Sequence, residues 1–390
     1  AKHCEAETIL DGFTIVGGNA NGPEAPDERG GGIYIYGGGP TIRNCTFIDN
    51  YASSHGGAVF ADHISVPLLD RCLFLSNLAG QTGGAVSHGN ESSATLLNCL
   101  FNGNGADQGG AIWNGAGSHV LLVNCTLSGN WAGQRGGGIA NHEHGAATVY
   151  NSILWGNRDA SPNSQTAQLA GGMFDVQYSC VDDGNPDDGV VFPGVGNIDA
   201  DPKFVDADGQ DQQWGTLDDD LRLTAASPCL NTGANHLVPP ELDTDLDNHP
   251  RIINWTVDMG AYELLGFMLV KAYSRKTHGL AGDFDLELPF PASVAAIESR
   301  DGGPTRVVMT FSENINTASS CANIALSSGI CESISVSNNE LFINLSGVVD
   351  NTCLTITLRD LQNANGEFLI GEQEVHIRVV SGDVDGIPPV

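Results

Sequence analysis

Arg43-Asn44-Cys45-Thr46-Phe47 is answered by Asp70-Arg71-Cys72-Leu73-Phe74, Leu97-Asn98-Cys99-Leu100-Phe101 and Val123-Asn124-Cys125-Thr126-Leu127. Tyr150-Asn151-Ser152-Ile153-Leu154 follows, a looser copy ends at Ser179-Cys180-Val181, and a degenerate earlier one reads Asp11-Gly12-Phe13-Thr14-Ile15. The marked position therefore steps through 13, 45, 72, 99, 125, 152 and 180, a beat of 26 to 28 residues from Cys45 onward. Two other ladders keep the same beat. A glycine pair recurs at Gly30-Gly31, Gly56-Gly57, Gly83-Gly84, Gly109-Gly110 and Gly136-Gly137, and an asparagine at Asn50, Asn77, Asn104, Asn130 and Asn157. Each copy holds short runs of period-2 strand chemistry broken by Gly or Asn, with no helical apolar stripe. One copy cannot bury its own inner face, but stacked copies can, so each copy becomes a rung of a parallel β-helix.

Stacking puts like on like. The asparagines are expected to form an amide ladder at one turn, and the glycines to supply the positive φ of tight corners. Cys45, Cys72, Cys99, Cys125 and Cys180 read as one inward register of buried free thiols, since Cys behaves as a small hydrophobe. Cys4, Cys229, Cys321, Cys331 and Cys353 fall outside it. A Cys321–Cys331 disulfide is expected in an extracellular domain, with Cys331–Cys353 as the competing pair.

The charge is lopsided, with 47 Asp and Glu against 16 Lys and Arg, a net −31. Nucleic acid and anionic membrane would both be repelled. No apolar run approaches the ~20 residues of a membrane helix, so no membrane insertion is expected. Ala1 follows no leader, and the chain reads as already processed. From Val181 to Glu263 there are 18 acids against Lys203, Arg222 and Arg251. Asp206-Ala207-Asp208 and Asp243-Thr244-Asp245-Leu246-Asp247 alternate carboxylates on loops, a pattern suited to calcium. The metal candidates are thus Asp206, Asp208, Asp243, Asp245 and Asp247.

From Leu265 the texture is all-β. Val307–Phe311, Ser333–Val336, Leu341–Leu345 and Leu354–Leu358 read as strands, with a hairpin turn at Ser337-Asn338-Asn339-Glu340. Short strands at this spacing suggest an immunoglobulin-like β-sandwich. The predicted organisation is all-β: β-helix rungs over 1–180, an acidic closing segment over 181–264, and the sandwich with a short tail over 265–390.

The repeat resembles the right-handed β-helix repeats of large secreted bacterial surface proteins. Three stretches resemble the closing segment of such helices in planctomycete-like proteins: Ala200-Asp201-Pro202-Lys203-Phe204-Val205-Asp206, Ala226-Ser227-Pro228-Cys229-Leu230-Asn231 and Asp258-Met259-Gly260-Ala261-Tyr262-Glu263. Ser274-Arg275-Lys276-Thr277-His278-Gly279 with Phe284-Asp285-Leu286 resembles their sandwich domain, which often precedes a dockerin-like calcium module. Gly382-Asp383-Val384-Asp385-Gly386 is similar to the start of one. The resemblance implies an extracellular or cell-surface location and leaves activity open.

Three function classes compete. A polysaccharide lyase needs a base beside a carboxylate, and no base is expected in register with an acid cluster on the next rung. A hydrolase needs two facing carboxylates, yet Asp49 is the only acid at its turn, where later copies carry Ser76, Gly103, Gly129 and Gly156. A polysaccharide-binding module wants aromatics along one face, and Trp113, Trp131 and Trp155 fall at different positions of the repeat. His55, His88, His142 and His144 read as exposed turn residues. The favoured reading is a structural or adhesive surface protein, with polysaccharide binding or degradation as the alternative. Its first rung, entered at Thr8-Ile9-Leu10, offers an open strand edge, from which head-to-tail self-association is expected.

Overall fold

The computed structural model describes the chain except residues 1, 5, 6, 90, 162–164, 186–189, 254–255, 278–281, 289–295, 300–302, 367–368, 370–372 and 381–390. The Gly382–Gly386 stretch thus lies outside the described residues. Contacts divide the chain into Ala1–Leu264 and Leu265–Val390. No helix among the described residues is long and apolar enough to cross a membrane.

The first unit is a parallel β-helix. Its first sheet stacks Lys2–Cys4, Ile33–Gly38, Val59–Asp62, Val86–His88, Ile112–Asn114, Ile139–Asn141 and Leu169–Ala170. The second sheet runs from Ile9–Asp11 through Thr41–Arg43, Leu68–Asp70, Ser93–Leu97, His119–Val123 and Ala146–Tyr150 to Met173–Gln177. The third runs from Thr14–Val16 through Thr46–Ile48, Leu73–Leu75, Leu100–Asn102, Thr126–Ser128 and Ile153–Trp155 to Cys180–Val181. A shorter fourth sheet begins at Asn19–Ala20 and ends at Trp131–Arg135. Every pairing between these strands is in parallel, as stacked copies require.

Side chains alternate across each strand, so every rung sends the same positions inward. Phe47, Phe74 and Phe101 stack face to face at 4.9 and 4.6 Å between centroids, and Leu127 and Leu154 continue their row. At the adjoining turn the Asn50 amide nitrogen donates to Asn77 Oδ1 at 2.9 Å. Asn77 to Asn104, Asn104 to Asn130 and Asn130 to Asn157 repeat the bond at 2.9, 2.9 and 2.8 Å. The expected amide ladder is therefore present, fully buried. Gly30, Gly56, Gly83, Gly109 and Gly136 all have φ between 62° and 65°. A Cβ at Gly83 would lie 2.3 Å from the Val86 carbonyl oxygen, so these corners need glycine twice over.

The thiol row holds with one correction. Cys45, Cys72, Cys99 and Cys125 are fully buried and free. Cys125 is followed by Ser152 and then by Ser179, whose hydroxyls accept the backbone N–H groups of Cys125 and Ser152 at 3.0 and 3.1 Å. Cys180 pairs instead with Ile153, one step off the row. Tyr178, at φ 48°, takes the corner that Asn151 holds at 49°, which places Ser179 at the stack position. Phe13, at the head of the row, is 56% exposed.

The sequence pattern puts the acidic segment over 181–264 at the end of the coil. Only its first part lies there. Ile198 bridges to Cys180, Val181 N–H donates to the Ile198 carbonyl, and Phe192 packs edge-on against Phe174 over the core. The rest runs back along the flank, over the corner between the second and third sheets. That corner carries Asn44, Arg71, Asn98, Asn124 and Asn151, all at positive φ. Asn98 donates to the Thr244 carbonyl, Asn124 to Asp258 and Asn151 to Ala234. Trp214 lies against Gly103, Gly129 and Gly156, where a Cβ at Gly129 would come within 2.2 Å of its ring.

The second unit is antiparallel over most of its pairings. One sheet orders Asp283–Leu288, Leu269–Thr277, Arg306–Phe311, Glu340–Ser346 and Ile330–Ser337. The other orders Ala296–Glu298, Gln373–Val379, Cys353–Leu358 and Ile324–Leu326. Residues of both contribute to one core. Cys321 and Cys331 form a disulfide, and Cys353 is free and exposed.

Candidate functional site

The outer face of the first sheet carries a cleft of about 240 Å³, lined by residues that include Arg29, Phe60, Asp62, Ser87 and Trp113. Two outward rows build it. Tyr34, Phe60, Ser87 and Trp113 align across successive strands. Their neighbours Val59, Val86 and Ile112 point into the core, so these four face out. Arg29, His55, Thr82, Gln108 and Arg135 form the second row, at the corner before the glycine pairs. Phe60 and Trp113 sit two rungs apart, roughly 10 Å by strand spacing. The small Ser87 lies between them, and both it and Phe60 are buried at the floor of the cleft.

Each ring is backed by a cation. The Arg29 guanidinium lies 5.5 Å from the Phe60 centroid, and Arg135 lies 5.5 Å from that of Trp113. Tyr34 and His55 stack on Phe60 at 5.6 Å each. The polar floor is connected: His55 Nδ1 is 2.8 Å from Thr82 Oγ1, which is 3.1 Å from Ser87 Oγ. Asp62 stands at the rim, 3.8 Å from Arg29 Nη1, and accepts from the Tyr34 hydroxyl at 3.4 Å. Burial and then the nearby Arg29 lower the His55 pKa, so the ring is held neutral beside the cation. Burial, with the Asp62 charge next, raises that of Tyr34.

His88 lies behind this floor on an inward row with Ala61, Asn114 and Asn141. The row fixes its tautomer. Asn141 donates to the Met173 carbonyl at 3.0 Å, so its oxygen faces Asn114, which donates to it at 2.7 Å. The Asn114 oxygen is left to accept from His88 Nδ1 at 2.8 Å. Nδ1 therefore carries the proton and Nε2 a lone pair with no hydrogen-bond partner. Burial pushes the His88 pKa down to about 4, against the opposing help of Asn114 and the Trp113 backbone.

Two expectations are corrected here. His88 is buried and His55 half-buried, because repeat positions that face solvent in a single strand are covered once rungs stack. A base does fall in register with acids: Arg43 aligns with Asp11 and Asp70 on neighbouring rungs and bridges Asp11 at 2.9 Å. That pair is exposed, and Asn44 and Arg43 hold the Asp11 pKa below its ordinary value. Trp113, Trp131 and Trp155 do lie on three different sheets.

Of the five metal candidates, the structure brings Asp245 and Asp247 together, with His249. Asp245 is fully buried, and its carboxylate accepts the backbone N–H groups of Asp247, His249 and Glu263 at 2.8 to 2.9 Å. Asp247 accepts both Arg222 Nε and Nη2, at 2.6 and 2.7 Å. Asp243 is exposed, and Asp206 is an exposed residue of a strand facing Asp220. Asp208 occupies a turn outside that group. A second group joins Asp211, Asp218 and Asp219, with the Thr216 hydroxyl donating to Asp218 at 2.7 Å.

Residues 13–159 match the family described as the right handed beta helix region. That span of the β-helix includes both outward rows and every residue named in the cleft. No curated protein and no solved structure matches the chain.

Proposed function

We propose that this β-helix is an extracellular adhesive protein that holds a saccharide unit in the slot between Phe60 and Trp113. The observation that carries the reading is that slot. Two aromatic rings flank a hydroxyl floor of Thr82 and Ser87, with Arg29, Asp62 and His55 at hand. Sugars present apolar C–H faces and a rim of hydroxyls, and such a site offers the partly exposed Trp113 ring for the first and convergent donors and acceptors for the second. The cleft sets one carboxylate, Asp62, against cations and neutral polar groups, a set suited to holding hydroxyls. A β-helix supports binding of an extended chain because its rows repeat at each rung.

Calorimetric titration of the full chain with a panel of neutral and acidic oligosaccharides tests the proposal. At least one should bind, and Trp113→Ala should weaken it at least tenfold while leaving Trp131→Ala at the parental affinity. Binding that ignores Trp113→Ala and Arg29→Ala alike, or no binding by any member of a broad panel, would overturn it.

A further inference from the structure

Cys180 and Cys229 are buried sulfur atoms that the thiol row does not account for. Cys180 pairs with Ile153, one residue past the stack, so its side chain leaves the opposite face of the strand. There it meets the acidic segment, in a sealed cluster of Ile153, Leu223, Cys229 and Met259. Cys229 enters from the turn at Ala226–Asn231, donating its N–H to Ser227 Oγ at 3.1 Å and accepting from the Met259 N–H at 3.0 Å. Both residues are fully buried. Both are free thiols in this structure, and they share one buried cluster across the junction.

We infer that Cys180 and Cys229 form a disulfide that staples the acidic segment to the last turn of the coil. The row of Cys45, Cys72, Cys99 and Cys125 is a different case. Its members project side by side from neighbouring parallel rungs, and Cys72 and Cys99 each have two equivalent sulfur neighbours, so no unique pair is defined. Each thiol there lies near two backbone carbonyls, as Cys72 does to those of Ile42 and Asp70 at 3.5 Å, whereas Cys180 donates to one, that of Ala200, at 3.1 Å. The cluster around Cys180 holds one other cysteine, Cys229, brought from 49 residues away by a separate piece of chain. The second unit already carries an oxidised pair, Cys321–Cys331, so a chain in that state has met an oxidant.

The oxidant required is a small-molecule disulfide, reacting by exchange. One cysteine loses its proton, and its thiolate attacks the small disulfide, releasing one small thiol and leaving a mixed disulfide. The second thiolate attacks the protein sulfur of that bond and expels the other small thiol. Two S–H bonds are lost and one S–S bond forms, while the small disulfide is reduced to two thiols. The exchange runs before the segment finishes docking, because the docked sulfurs are closed to solvent.

Peptide mapping tests the inference. The full chain is refolded with glutathione disulfide, denatured with an alkylating agent and no reductant, digested, and read by mass spectrometry. The expected result is a cross-linked peptide pair joining Cys180 to Cys229, lighter than the two free peptides by two hydrogen atoms. Cys45, Cys72, Cys99 and Cys125 should be alkylated as free thiols. Cys321–Cys331 serves as the control for adequate oxidation. Cys180→Ser with Cys229→Ser should then fold and lose the sensitivity of the first unit's melting temperature to reductant. Alkylated Cys180 and Cys229 in a sample where Cys321–Cys331 is oxidised would overturn the proposal. So would cross-linking of either residue to a row cysteine.

Discussion

Asn104 passes one amide hydrogen to Asn130 and accepts one from Asn77, and the same exchange runs from Asn50 to Asn157 without a break. The inward row behind the cleft uses the same chemistry, with one member replaced: His88 stands where Asn114 and Asn141 would predict another amide. Its folded pKa of about 4 lies below the ordinary 6.5. The sign follows. Above pH 6.5 the ring is neutral in both states and costs nothing. As pH falls toward 4 the unfolded chain takes up the proton first, so stability is lost across that window. The loss is on the order of 3 kcal/mol. His88→Asn extends the amide row and removes the titrating group. Denaturant titrations at pH 7 and pH 4.5 should show the parent losing more stability than His88→Asn, by at least about 1 kcal/mol. Equal losses would contradict the assignment of a neutral His88. The ladder of identical asparagines was legible from the sequence because identity recurs at a fixed beat. His88 was not, because a single substitution inside a ladder looks like any exposed turn histidine until the rungs are stacked.

Among the elements, the acidic segment is held on by a buried lock. Arg251 is 1% exposed and donates through Nε and Nη2 to Glu263, through Nη1 to Asn98 at 3.0 Å and to the Gly260 carbonyl at 3.2 Å. Burial raises the Glu263 pKa, and the Arg251 charge and its hydrogen bonds oppose that rise. Removing Arg251 alone strands a buried carboxyl group. Arg251→Met should therefore cost about 3–5 kcal/mol of stability, and adding Glu263→Leu should restore a large part of it. Chemical denaturation of the two variants measures this; a single variant within about 1 kcal/mol of the parent would show that the lock holds nothing. The rungs were legible, but the path of this segment was not. Its clusters of acid suggested a loop at the end of the coil, whereas the corner amides of Asn98, Asn124 and Asn151 draw it along the flank. The register at Cys180 is not legible from residue identity either. A step of 27 residues from Ser152, equal to that from Cys125 to Ser152, lands on Ser179, whereas identity with the other cysteines points one residue on, to Cys180. The aromatic slot is not legible from the spacing of the tryptophans, because Phe60 supplies one of its two walls.

Over the whole chain, a charge of −31 opposes compaction in both units. Raising ionic strength from about 0.01 M to 0.15 M shortens the screening length from about 30 Å to about 8 Å. Melting temperature should rise over that range in sodium chloride, and scanning calorimetry would show it. A fall would mean that exposed pairs such as Arg43–Asp11 outweigh the mutual repulsion. The central claim concerns what the repeated outward rows are for. A crystal structure of the chain with the tightest-binding oligosaccharide tests it most directly. The account predicts a sugar ring over Ser87, between Phe60 and Trp113, with its hydroxyls within hydrogen-bonding reach of Thr82, Asp62 or Arg29. A sugar bound elsewhere, with the slot between those two rings empty, would contradict it.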